Sequence, residues 1–290
     1  MIQDIYPKQF FNAYEHTKPE KGDTILIYRG RRCLMHVNSE GVVMYPMKQD
    51  CGPKIHFTYL FRIDDERYFL GQYLNEEDLG EILDKGFVWE DIRVFRTGEP
   101  QDRCFAGVTG MQMDGWYRRH RFCGSCGSLL RQDETERMLR CPECGEMFYP
   151  QICPAVIVGV IHRGRLLMSR YRDRAYKNYA LLAGFNEMGE SIEQTVHREV
   201  MEEVGLSVRN LKFYKSQPWP FSDTLLMGFF CELDGNDETI KLEQDELTEA
   251  GWYLPSEVPE DMDHASLTSE MMRVFREYDG ILPETFDDLF

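Results

Sequence analysis

Between Gly184 and Leu206 the chain reads GFNEMGESIEQTVHREVMEEVGL, and no other stretch restricts the fold as much. Gly184 and Gly189 mark a tight turn, where a residue without Cβ is free to adopt unusual backbone angles. Ser191, followed three residues later by Gln194, has the form of a capping box and predicts a helix start. Ile192, Val196, Val200 and Val204 then recur every four residues as a buried helical stripe. Gly205 suits the C-terminal cap.

Glu199, Glu202 and Glu203 lie off that stripe at i, i+3 and i+4, which predicts that their side chains converge on one patch. A glutamate-rich helix face is commonly just solvated. Here the acids follow a glycine loop, and Arg198 stands beside them to hold a carboxylate. Clustered carboxylates gain most from a hard divalent cation such as Mg2+ or Mn2+, which prefers oxygen ligands.

The stretch resembles the Nudix box, G-x5-E-x7-R-E-U-x-E-E-x-G-U with U aliphatic. Gly184, Glu190, Arg198, Glu199, Val200, Glu202, Glu203, Gly205 and Leu206 fill every fixed position. The resemblance implies a hydrolase that cleaves a nucleoside diphosphate linked to another group, using divalent metal and water. It also implies an α/β/α sandwich with a mixed sheet.

The 290 residues suffice for about two domains plus a small module. No apolar run approaches the ~20 residues of a membrane span. The opening MIQDIYPKQF lacks a basic region followed by an apolar core, so the expected location is the cytoplasm. A net charge of −17 argues against a broad basic surface for duplex nucleic acid. It leaves room for small anionic substrates, because bound metal reverses the local field. Arg118, Arg119, His120 and Arg121 form a local basic run, read as a solvated helix end or an intramolecular contact in preference to an RNA site.

The expected division is an N-terminal mixed α/β domain over 1–116, a small module over 117–150 and the domain carrying the box over 151–290. In the first part, 23–37 reads as a hairpin, 56–63 and 68–73 as paired strands, 76–83 as a short helix and 87–95 as a strand. A helix over 102–120 would bury Phe105, Val108 and Trp116, although three internal glycines weaken it. His16, His36 and His56 are scattered and read as surface or core residues. Further on, 155–161 and 166–169 read as strands. Further strands are expected around 211–214, 225–231 and 252–254, and a final helix over 267–278 with Leu267, Met271, Val274, Phe275 and Tyr278 on one face.

Nine cysteines, an odd number, fit free thiols and metal ligands better than a disulfide framework. Cys123 and Cys126 form one C-x2-C pair, Cys141 and Cys144 another, fourteen residues apart. Four thiolates give tetrahedral Zn2+ in a closed structural site with no position left for water. A redox role for either pair is the weaker reading. The zinc would fold a ribbon too poor in apolar residues to support its own core.

Beyond the box, Ser216-Gln-Pro-Trp-Pro-Phe221 carries two prolines that predict a stiff loop presenting Trp219 and Phe221. Such a loop is either a packed surface turn or an aromatic wall for a flat nicotinamide or adenine ring. The whole resembles one Nudix subfamily, the NADH pyrophosphatases. These carry an N-terminal domain, a four-cysteine zinc ribbon, a Nudix domain and an SQPWPFPxS motif. Residues 216–221 match that motif, while Ser222 replaces its proline and Thr224 its final serine. The WHRRHxFCGxCG entry to the ribbon is also visible, as Trp116-Tyr-Arg-Arg-His-Arg-Phe-Cys-Gly-Ser-Cys-Gly.

Carried over by position, the resemblance implies metal ligation by Glu199, Glu203 and the Ala183 carbonyl, with Glu202 and Glu246 joining the cluster around two or three ions. Glu202 and Glu246 both remain candidates for the general base. Implied substrate contacts are Gln217, Pro218, Trp219, Pro220, Phe221, Ser222, Asp223 and Thr224, with Glu136 and Tyr149 on the ribbon and Phe185 after the box glycine. The implied reaction converts NADH or NAD+ to nicotinamide mononucleotide and AMP, and the implied assembly is a homodimer. Removal of an NAD cap from RNA cuts the same bond and is the nearest rival. Hydrolysis of diadenosine polyphosphates or ADP-ribose, a nucleotide-sensing module and a zinc-ribbon adaptor are weaker rivals.

Overall fold

In the computed structural model, residues 1–172, 178–243, 247–260, 262–283 and 286 are described. They fall into two units: the described residues of 2–151 with 220–223, and those of residue 1, 152–219 and 224–290.

In the N-terminal unit, His56–Ile63 and Glu66–Gln72 pair antiparallel, with Phe10–Phe11 on one side and Thr24–Leu26 on the other. The hairpin expected over 23–37 is divided. Tyr28–Arg29 turns back on Arg32–Val37, but Thr24–Leu26 leaves to pair parallel with Glu66–Gln72. Residues 76–83 form a 3-10 turn running into one helical turn. The strand expected over 87–95 stops at Asp91, whose carboxylate accepts from the Arg93 amide and starts a 3-10 turn.

Helix α1, Gln101–Arg119, buries Phe105, Val108 and Trp116 as expected. Two of its internal glycines, Gly107 and Gly110, have a packing cause. A Cβ on Gly107 would lie 2.1 Å from the Tyr45 hydroxyl and 2.4 Å from the Phe95 ring. The helix can approach the core only where side chains are missing. After it, 131–132, 139–140 and 147–148 form a small three-stranded antiparallel sheet.

The C-terminal unit is built on a mixed sheet. Its strands are β1 (Cys153–His162), β2 (Arg165–Tyr171), β3 (Leu182–Phe185), β4 (Val208–Trp219), β5 (Thr224–Leu233) and β6 (Leu247–Tyr253). The order is β4-β5-β1-β2-β6, with β3 also paired to β1. β1 and β5 run parallel and the other pairs antiparallel.

Alternation along β1 sorts the two cores. Val156, Val158 and Val160 face helix α2, Ile192–Val204, packing with Val196, Val200 and Val204. Ile157 joins Leu267, Met271 and Phe275 of helix α3, Leu267–Glu277, on the other face. The predicted caps of α2 are present: Ser191 accepts from Gln194 N, Gln194 returns to Ser191 N at 2.7 Å, and Gly205 closes the helix at φ +70°. Tyr278, expected on the buried face of α3, follows the helix and is 38% exposed.

The stiff loop expected at 216–221 is mostly strand. Ser216, Gln217, Pro218 and Trp219 pair with Met227, Leu226, Leu225 and Thr224, and only Pro220–Ser222 turns. β4 is an edge strand of the sheet, the position at which strands accommodate proline.

Candidate active site

The box folds as strand β3, a turn and helix α2, so its acids are displayed against the end of a strand. Gly184 lies on β3, and a Cβ there would fall 1.8 Å from the Glu199 Cδ. The bare backbone at Gly184 is the cradle in which the Glu199 carboxylate rests.

Arg198 organises the rest. Its Nε and one terminal nitrogen fork onto Glu190 at 2.6 and 3.0 Å. That nitrogen also donates to the Phe185 carbonyl at 2.8 Å. The other terminal nitrogen donates to Glu199 at 2.7 Å and Glu202 at 2.9 Å. The guanidinium beside Glu190 holds its carboxyl down at about 2, and the acids around Arg198 raise its own pKa. Glu203 is 2% exposed and accepts from the Ala183 amide at 3.3 Å. Its own carbonyl accepts from the Glu243 amide at 2.9 Å.

The expected convergence of three carboxylates is therefore only partial. Arg198 stands between Glu199 and Glu202, and Glu203 turns to the Ala183 amide. Among the described residues, the four cysteines are the one group of three or more potential ligands whose donor atoms all lie within 4.8 Å. Glu199, Glu203 and the exposed Glu202 nevertheless offer only oxygen donors, the ligand type that a hard divalent cation takes. Glu246 lies outside the described residues.

Two partners were not singled out from sequence. Thr195 Oγ1 donates to Glu190 at 3.0 Å and accepts from Asn186 Nδ2 at 2.7 Å, tying the turn to the helix. The fixed Glu190 and Arg198 of the box were the available signal for this network.

The remaining candidates are dispersed. Phe185 is 54% exposed. Gln217 is fully buried, donating to the Ala265 carbonyl at 2.7 Å and accepting from Leu267 N at 2.6 Å. Both bonds tie it to the start of α3. Thr224 is buried, Pro218 exposed and Trp219 half-buried. In the N-terminal unit Pro220 is buried, Phe221 half-buried and Ser222 exposed, while Asp223 pairs with Arg119 at 2.7 Å. Tyr149 donates to Glu136 at 2.8 Å on the ribbon surface.

The four cysteines meet as expected. Cys123 and Cys144 sulfurs are 3.6 Å apart, and those of Cys126 and Cys141 3.4 Å. Both C-x2-C loops fold alike, with Gly127 N donating to Cys123 O and Gly145 N to Cys141 O. Hydrogen bonding from Ser128 lowers the Cys126 thiol to about 6, favouring the thiolate that zinc requires.

Residues 153–275 match the NUDIX domain model, and 118–149 match the NADH pyrophosphatase zinc ribbon domain. An Escherichia fergusonii protein named NAD-capped RNA hydrolase NudC is 37% identical over 194 residues, covering 67% of this chain and 70% of the relative. The chain belongs to the Nudix hydrolase family. Within it, the ribbon places the chain with the NADH pyrophosphatases. A Pectobacterium atrosepticum protein of the same name is 42% identical over 151 residues, 52% of this chain. Of that relative and the next, this Nudix chain spans 57% of the length. A solved NUDIX hydrolase from Nitrosomonas europaea is 22% identical, covering 55% of this chain and 91% of its own, with a TM-score of 0.47. Among the described residues no helix is long and apolar enough to cross a membrane.

Proposed function

We propose that this chain hydrolyses the pyrophosphate of NADH or NAD+ to nicotinamide mononucleotide and AMP. The observation that carries the reading is the Glu199 carboxylate seated on bare backbone at Gly184, beside a guanidinium shared by three acids. A water oxygen adds to one phosphorus, the bridging P–O bond breaks, and the water's proton passes to a carboxylate. Bound Mg2+ or Mn2+ would neutralise the pyrophosphate and acidify the attacking water.

In this proposal Glu199, Glu203 and the Ala183 carbonyl hold the cations, with Glu202 and Glu246 beside them. Arg198 fixes the direction of Glu199 and Glu202. Glu202, held by Arg198 with its side chain 58% exposed to water, is one candidate base, and Glu246 is the other. Trp219 and Phe185 offer ring faces to a base. Gln217, Pro218, Pro220, Phe221, Ser222, Asp223, Thr224, Glu136 and Tyr149 remain proposed contacts. A homodimer in the cytoplasm belongs to the same proposal, and sedimentation and cell fractionation test it.

A second reading, removal of NAD caps from RNA, is favoured by the names of the relatives. Both are tested by kcat/KM on NADH, NAD+, NAD-capped RNA and ADP-ribose with Mg2+ or Mn2+ and product identification. AMP and nicotinamide mononucleotide from NADH support the first reading, and a larger kcat/KM on capped RNA favours the second. Preference for ADP-ribose, or no turnover, defeats both.

A further inference from the structure

The basic run at 118–121 has no part in the proposed hydrolysis, but the structure gives it a setting. Two of its members, Arg118 and Arg121, line a cleft of about 530 Å3 in the N-terminal unit, together with Arg29, Tyr73, Tyr117 and Asp114. The volume falls within the range of small-molecule sites.

Three kinds of chemistry meet there. Arg29, Arg118 and Arg121 supply guanidinium groups. Arg29 stacks 4.6 Å above the Trp89 ring and bonds Glu76 at 3.0 Å, so its direction is fixed from two sides. Arg118 lies 3.6 Å from Asp114 and is 58% exposed, which leaves donors for a ligand. Arg121 stands over the Phe122 ring at 5.9 Å. The Tyr73 ring, tilted against Trp89 and half-buried, adds aromatic surface, with the buried Tyr117 behind the wall. Asp114 is mostly buried, and that burial raises its carboxyl to about 6.

Each group needs something different. Guanidinium forks match phosphate oxygens. Aromatic faces match a base. A secluded carboxylate accepts N–H or O–H donors, which an exocyclic amine or a ribose diol provides. Inorganic phosphate leaves the rings and the carboxylate unused. A bare base leaves the arginines unused. We propose that this cleft binds a nucleoside monophosphate. The inference goes beyond the hydrolase reading and does not depend on it.

The test measures AMP binding by the full zinc-loaded chain by equilibrium dialysis, in a Glu203→Gln background that separates the cleft from the Nudix site. Saturable binding of AMP that survives Glu203→Gln and weakens by roughly tenfold or more in Arg118→Ala/Arg121→Ala supports the proposal. Both arginines are at the surface, and zinc content with circular dichroism checks folding. Asp114→Asn is the second variant and should weaken AMP binding without affecting that of inorganic phosphate. The proposal is overturned if AMP fails to bind, or if its binding ignores the arginine substitutions. It is equally overturned if inorganic phosphate competes as well as AMP, or if only an uncapped oligoribonucleotide occupies the cleft. NADH hydrolysis by Arg118→Ala/Arg121→Ala, measured in the otherwise wild-type chain, reports on the Nudix site separately.

Discussion

The Glu199 carboxylate occupies the space that a side chain at residue 184 would need, with the ideal Cβ position only 1.8 Å from its Cδ. The atom in the way is the far end of a flexible chain, so Gly184→Ala should displace the carboxylate and not the backbone. We expect manganese affinity and turnover to fall sharply while the melting temperature changes little. Titration calorimetry and a thermal melt on the same sample check this, and loss of both together would point to a folding defect.

Gly107 provides the contrast. Its neighbours are the Tyr45 hydroxyl and the Phe95 ring, both packed in the interior of the N-terminal unit. Gly107→Ala should therefore cost about 1–3 kcal/mol of stability, as overpacking does. Chemical denaturation measures the loss.

Arg198 holds the Glu190 carboxyl at about 2, well below its ordinary 4.5. A depressed acid stabilises the fold above its unfolded pKa, and that stabilisation is lost as pH falls through the folded value. Glu190→Gln should thus melt below the wild type at pH 7. The gap should narrow below about pH 4.5 and close near pH 2. Melts across that range, with no divalent metal added, provide the measurement.

Gln217 bonds both Ala265 O and Leu267 N from a fully buried position. Gln217→Ala leaves two interior groups without their partner, at a cost of about 1–3 kcal/mol each. The expected signature is lower stability, and KM for NADH in the folded fraction tests the proposed substrate contact. A large rise in KM without destabilisation would assign Gln217 to the substrate wall and not to the support of α3.

The cysteine cluster should bind one zinc per chain. Cys141→Ser should abolish stoichiometric zinc and loosen the ribbon. A colorimetric zinc assay and limited proteolysis between residues 118 and 149 check it.

Local patterns were legible in the sequence, and features set by distant partners were not. The caps at Ser191 and Gly205, the valine stripe of α2 and the two C-x2-C loops each depend on neighbours a few residues away. The bonds of Gln217 to residues 265 and 267 were not legible, because those partners are about fifty positions distant. Strand β4 was read too short because register shifts near Arg209 and Phe213 interrupt its alternation. Pro218 suggested a loop because nothing in the local sequence says that its strand is outermost. At the acids, spacing indicated a shared helix face, whereas the division of carboxylates between Arg198 and the Ala183 amide depended on how β3 meets α2.

That proline has a further effect. A foreign strand trying to zip alongside Val208–Trp219 would find no amide hydrogen at Pro218 and a shifted ladder near Arg209 and Phe213. The outer margin of the sheet is a poor template for self-association, so crowded chains resist growing into aggregates from this side.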